Sequence, residues 1–77
     1  PDLRLNIAGH TDDVGDESEN LALSIRRAEV VSEFLSGCGV EELRMTAQGF
    51  GESRPKTANL NEAGRRVNRR TEFRWKD

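Results

Sequence analysis

Leu3, Leu5 and Ile7 alternate with Arg4 and Asn6, the period of a strand with one buried face, and Gly9 ends the run where the chain has to turn. The polar stretch from Asp13 to Glu19 reads as a loop entering a helix, because acidic side chains there complement the positive end of the helix dipole. From about Ser18 to Ser36, the apolar residues Leu21, Ile25, Ala28, Val31, Phe34 and Leu35 recur at helical spacing and predict one stripe against a core, with Arg27 beside it. Gly37 and Gly39, on either side of Cys38, supply the left-handed stop that helices favour. Leu43, Met45 and Ala47 then alternate with Arg44, Thr46 and Gln48, a second strand that a helical crossover places parallel to the first. A Gly- and Pro-bearing loop from Gly49 to Pro55 leads to a short helix, about Asn61 to Asn68. Thr71, Phe73 and Trp75, alternating with Arg70, Glu72 and Arg74, form a last strand. The predicted order is β-α-β-α-β.

A chain of 77 residues supports a single domain, residues 1–77, with no internal repeat and no linker long enough to divide it. A core of this size supplies only about 3–5 kcal/mol. Hydrophobic and charged residues each make up 34%, and no run approaches the ~18 apolar residues of a membrane span. No basic segment followed by an apolar one opens the sequence, so no secretory leader is expected within it. The net charge of −2 hides an asymmetry. Asp12, Asp13, Asp16, Glu17 and Glu19 cluster early, whereas Arg65, Arg66, Arg69, Arg70, Arg74 and Lys76 crowd the end. If folding brings these segments together the charges compensate one another, so nucleic acid is not an expected partner.

Catalytic chemistry has little to build on. His10 is the only histidine and has no evident serine or cysteine partner, and it reads as a hydrogen-bonded turn former. Cys38 sits in a Gly-Cys-Gly turn and can form neither an internal disulfide nor a thiolate zinc site by itself. Asp12, Asp13, Asp16 and Glu17 lack the alternation and the distant glutamate of a calcium loop, so they read as a solvated acidic loop. The chain is expected to be no enzyme and to need no metal or cofactor. The remaining pattern is Gly9-His10-Thr11-Asp12 followed by Arg27 on the next helix. A carboxylate at a strand end and a guanidinium on the following helix can face one cleft and hold a ligand bearing both an ammonium and a carboxylate. The bland alternative is a surface ion pair contributing about 0–1 kcal/mol.

Gly9-His10-Thr11-Asp12, Asn20-x-x-Leu23-Ser24-x-x-Arg27-Ala28-x-x-Val31-x-x-x-Leu35, Gln48-Gly49-Phe50-Gly51-Glu52-Ser53-Arg54-Pro55 and Gly64-Arg65-Arg66-Val67-Asn68-Arg69-Arg70 occur in this order. Together they closely resemble the OmpA-like peptidoglycan-binding domain, which is also found in peptidoglycan-associated lipoproteins and flagellar-motor stator proteins. The match runs from about Leu3 to Trp75. It implies an α/β two-layer sandwich in which a small mixed sheet carries its helices on one face. It also implies non-covalent binding of bacterial cell-wall peptidoglycan through the meso-diaminopimelate of the stem peptide, anchoring a membrane protein to the wall. Carried over by position, Asp12 would receive the ammonium of diaminopimelate and Arg27 its carboxylate, with Asn20 and Arg69 lining the pocket and Thr11 beside them.

The family domain usually begins with a further strand and helix, so this chain corresponds to its C-terminal two-thirds. In that fold the last strand lies antiparallel beside the absent first one, which predicts an uncovered edge at Thr71 to Trp75 and either self-association along it or rearranged packing. The expected location is periplasmic and cell-envelope associated, with membrane attachment only through a region of the parent protein outside this sequence. The rival reading is a structural or oligomerising interaction module in which Asp12 and Arg27 form only a structural ion pair.

Overall fold

The computed structural model describes residues 3–76. The elements are β1 (Arg4–Gly9), α1 (Glu17–Gly37), a 3-10 turn (Glu42–Arg44), β2 (Met45–Gly49), α2 (Glu62–Asn68) and β3 (Thr71–Lys76). The sheet order is β2-β1-β3, with β1 parallel to β2 and antiparallel to β3. The crossover through α1 imposes the parallel pair, and the tight return after α2 permits the antiparallel one.

Sequence sets the ends of α1. Asp16 is the N-cap, and its carboxylate accepts from the Glu19 amide at 3.1 Å, so the helix begins slightly before the predicted Ser18. At the other end Val40 N–H donates to the Leu35 carbonyl at 3.0 Å and Gly39 N–H to the Ser36 carbonyl at 3.1 Å. Gly39 has φ 103°, so it supplies the left-handed residue of a Schellman motif, while Gly37 is simply the last helical residue.

Leu5, Ile7 and Ala28 form the buried core, with Val31, Leu35, Met45 and Ala47 packed against it. Register puts Leu5 opposite Met45 and Ile7 opposite Ala47, so one sheet face meets α1. The predicted stripe holds at Ala28, Val31 and Leu35, Phe34 is 68% exposed, and in the first half of the helix Asn20 and Ser24 are buried while Leu21 and Ile25 are exposed. Polar residues replace apolar ones there because the first turns of α1 lie against loop backbone, whose N–H and C=O groups require partners. Ser24 Oγ accepts from Gly51 N–H at 2.8 Å. Leu43 falls in the 3-10 turn before β2 and is 91% exposed, so it is not a strand residue.

The close fit of helix to sheet depends on missing side chains. A Cβ on Gly9 would collide with the Ser24 carbonyl oxygen, and one on Gly49 with the Ile25 amide. On the same face as Ile7 and Leu5 stand their β3 partners Phe73 and Trp75, which remain 54% and 59% exposed. Beyond β3 no strand pairs among the described residues. His10 N–H donates to the Arg70 carbonyl at 2.8 Å. Alternation along the ladder therefore turns the main-chain groups of Glu72 and Arg74 toward β1 and those of Thr71, Phe73 and Trp75 outward.

Candidate functional site

The sheet end where β1 and β2 finish is a junction of three backbone segments. Phe50 N–H donates to the Gly9 carbonyl at 3.0 Å, His10 N–H to Arg70, and Thr11 N–H to the Gly51 carbonyl at 2.9 Å. These bonds lock the loop after β1 between the loop after β2 and the turn into β3, and so they bring Thr11 and Asp12 beside Arg69.

Asp12 is buried. Its Oδ1 accepts from Val14 N–H at 3.0 Å, closing a turn, and its Oδ2 accepts from Arg69 Nη1 at 2.7 Å. Arg69 turns its other nitrogen to Glu62, with Nη2 donating to Oε2 at 2.6 Å, so one guanidinium bridges two carboxylates. The Arg69 hydrogen bond is the main reason that both Asp12 and Glu62 titrate below the usual carboxylate range, against the opposing effect of desolvation. The two acids in turn raise the pKa of Arg69.

Asn20, at the start of α1, donates from Nδ2 to the Val14 carbonyl at 3.0 Å, to the Asp12 carbonyl at 3.4 Å and to Glu52 Oε1 at 3.3 Å. Thr11 Oγ1 donates to the Asp12 carbonyl at 2.8 Å. Thr11, Asp12, Asn20 and Arg69 are thus one hydrogen-bonded cluster. Next to Asn20 a cleft of about 480 Å³ opens between the start of α1 and the loop after β2, lined by Asp16, Glu17, Ser18, Leu21 and residues 50–53.

Arg27 stands apart. It is exposed and joins no ion pair or hydrogen bond among the described residues. It lies two turns beyond Asn20 on nearly the same side of α1, about 10 Å farther along the helix axis. The structural Asp12–Arg27 ion pair of the rival reading is therefore not formed. The in-chain partner of Asp12 is Arg69, because α1 runs away from the sheet end while the turn into β3 returns to it.

His10 also differs from expectation. Its ring is buried and stacked on Phe50, with centroids 5.5 Å apart, and neither ring nitrogen has a hydrogen-bond partner. Glu62 and Glu52 join the cluster without having been singled out from the sequence. Glu62 precedes Arg69 by seven residues, two helical turns, a spacing that could have flagged it. Glu52 comes from a loop and had no local signal. Asn68, fully buried, fixes the approach to α2: its Oδ1 accepts from the amides of Lys56 and Thr57, and its Nδ2 donates to the Thr57 carbonyl.

The OmpA family model matches residues 1–69. The chain belongs to the OmpA family. It is 50% identical to outer membrane porin F of Pseudomonas fluorescens over 94% of its length and 22% of the porin's. It is 41% identical to the peptidoglycan-associated lipoprotein of Legionella pneumophila over 95% of its length and 42% of the lipoprotein's. The chain therefore spans less than half of either curated relative. Among solved structures, the peptidoglycan-associated lipoprotein of Burkholderia pseudomallei superposes with a TM-score of 0.94 at 36% identity, covering 99% of this chain and 64% of that one. This OmpA-family chain thus carries the fold that its motifs implied, a small mixed sheet with two helices.

Proposed function

We propose that the chain is a non-catalytic module of the bacterial cell envelope that binds peptidoglycan through the meso-diaminopimelate of the stem peptide. The observation that carries this reading is the clustering of Thr11, Asp12, Asn20 and Arg69 at one sheet end, in a family whose relatives include a protein named peptidoglycan-associated. Asp12 offers the anion for the ligand's ammonium. Arg27, exposed and without an ion-pair or side-chain hydrogen-bond partner among the described residues, offers an uncommitted guanidinium for its carboxylate. A dipolar amino-acid centre requires one fixed charge of each sign, and charge-assisted hydrogen bonds are about twice as strong as neutral ones.

Titration of the labelled chain with meso-diaminopimelate should move the amide signals of Asp12, Asn20 and Arg27 and the side-chain signal of Arg69 along one saturable curve. Lysine, which lacks the second amino-acid centre, serves as the comparison. Signals that stay put with diaminopimelate defeat the specificity, while co-sedimentation with intact wall tests binding itself.

The reading includes association of two copies along β3. The outward main-chain groups of Thr71, Phe73 and Trp75 and the half-exposed rings of Phe73 and Trp75 suit an added antiparallel strand. The expected result is a mass that rises toward the dimer with concentration in analytical ultracentrifugation. A strictly monomeric mass at high concentration contradicts it.

A further inference from the structure

The sheet face turned away from α1 holds a second concavity, whose lining shares no residue with the Asp12 cluster. It has a volume of about 580 Å³, within the ~300–1,000 Å³ typical of small-ligand sites. Its floor is neutral and polar, with Asn6, Ala8 and Gln48 above the buried His10. Its walls are cationic: Arg54, Lys56, Arg70 and Arg74 face a single acid, Glu72. That acid is already taken by Arg70, whose Nε donates to Glu72 Oε2 at 2.5 Å. Arg70 is spent on structure in its other nitrogens too, donating to the carbonyls of Asn68 and Arg54.

Arg54, Lys56 and Arg74 are left without an ion-pair partner among the described residues. Three uncompensated cations share one groove in a chain whose net charge is −2. The arrangement is not a by-product of a net basic chain, and it gives the groove a local excess of positive charge that favours an anion. Arg54 is moreover held in place, its guanidinium carbon 3.8 Å from the centre of the Phe50 ring.

We propose that this groove is a second binding site, for a phosphate ester, in which Arg54, Lys56 and Arg74 hold the phosphate and Asn6 and Gln48 meet the polar body of the ligand. Guanidinium forks match phosphate oxygens in pairs, and a lysine adds a point charge. The volume exceeds that of a bare phosphate, which calls for an ester. A soluble phosphate ester and a phospholipid headgroup present the same chemistry.

His10 provides an internal reporter. Its ring stands beneath the groove with both nitrogens unpartnered, Nε2 lying 3.7 Å from Glu72 Oε1. Burial, and then the nearby charges of Arg70 and Arg54, push its pKa below the ordinary value, while Glu72 pulls the other way. A bound anion offsets the two arginines, so occupancy raises the pKa of His10 and binding strengthens as pH falls through it.

The test uses the whole chain. Glycerol 3-phosphate serves as the soluble probe, and vesicles of phosphatidylglycerol, with phosphatidylcholine as control, serve as the lipid probe. Saturable shifts at Lys56, Arg74, Gln48 and the His10 ring, an upward move of the His10 titration midpoint, and at least tenfold weaker binding in both Lys56→Glu and Arg74→Glu support the site. These two positions are exposed, so folding is retained, and co-sedimentation with cell wall should be unchanged in both variants. Binding to glycerol 3-phosphate alone marks a soluble ester as the ligand, and binding to phosphatidylglycerol vesicles marks a headgroup. Failure to bind either probe, binding indifferent to charge reversal, or an unmoved His10 midpoint overturns the proposal. None of these outcomes bears on the diaminopimelate reading, which rests on other residues.

Discussion

Asp12→Ala and Arg27→Ala are each expected to abolish co-sedimentation with purified diaminopimelate-type cell wall while leaving far-ultraviolet circular dichroism unchanged. Truncating one partner of a desolvated charge pair costs about 2–5 kcal/mol of binding, much of it from the charge left unpaired, which is a loss of about 30-fold to several thousand-fold. The structure makes the two variants informative in different ways. Arg27 has no ion-pair or side-chain hydrogen-bond partner among the described residues, so its removal breaks none, and loss of binding reports on the ligand. Asp12 does have one, but Arg69 remains tied to Glu62 at 2.6 Å when Asp12 is gone, so the turn into β3 keeps an anchor. Undiminished co-sedimentation of both variants would remove the assignment.

Gly9→Ala is expected to leave most of the chain unfolded at room temperature. The added methyl group meets the carbonyl oxygen of Ser24, a backbone atom in the middle of α1 that no rotamer change can move. Relief requires lifting the helix from the sheet, which would also strain the Ser24 hydroxyl's bond to Gly51. Overpacking usually costs about 1–3 kcal/mol, and more where backbone must shift, against a core that supplies about 3–5 kcal/mol. Gly37→Ala is the control: nothing lies within 4 Å of its added methyl group, its φ is not positive, and it closes a helix. That variant should melt at or slightly above the parent temperature, since alanine is favoured over glycine in a helix by about 0.5–1 kcal/mol. A Gly9→Ala melt close to that of Gly37→Ala would show that helix and sheet are less tightly joined than described.

The elements whose positions follow from local chemistry were legible in the sequence. The alternation of Leu5 and Ile7 gave β1, the acids before Asn20 and the glycines around Cys38 bracketed α1, and the crossover rule gave the parallel pairing. Helical periodicity failed where tertiary contacts changed what a buried position needs. Asn20 and Ser24 are inside because loop backbone faces them, and Leu21 and Ile25 are outside in consequence. Of the site residues, Thr11, Asp12, Asn20 and Arg69 were named from motif resemblance, and the coordinates bring them into contact. The in-chain pairing of Asp12 with Arg69 had no signal in spacing, because Arg69 is distant along the chain and the antiparallel pairing of β1 with β3 brings it near. Glu52 enters through the same kind of long-range closure.

Both oxygens of the Asp12 carboxylate have partners within the chain, one on the Val14 amide and the other on Arg69. On the proposed reading, an arriving ammonium has to share or displace an existing guest, so each grip is brief and readily undone. A layer of such modules would hold by number rather than by the tenacity of any one, and could creep across a growing, remodelled surface without tearing loose.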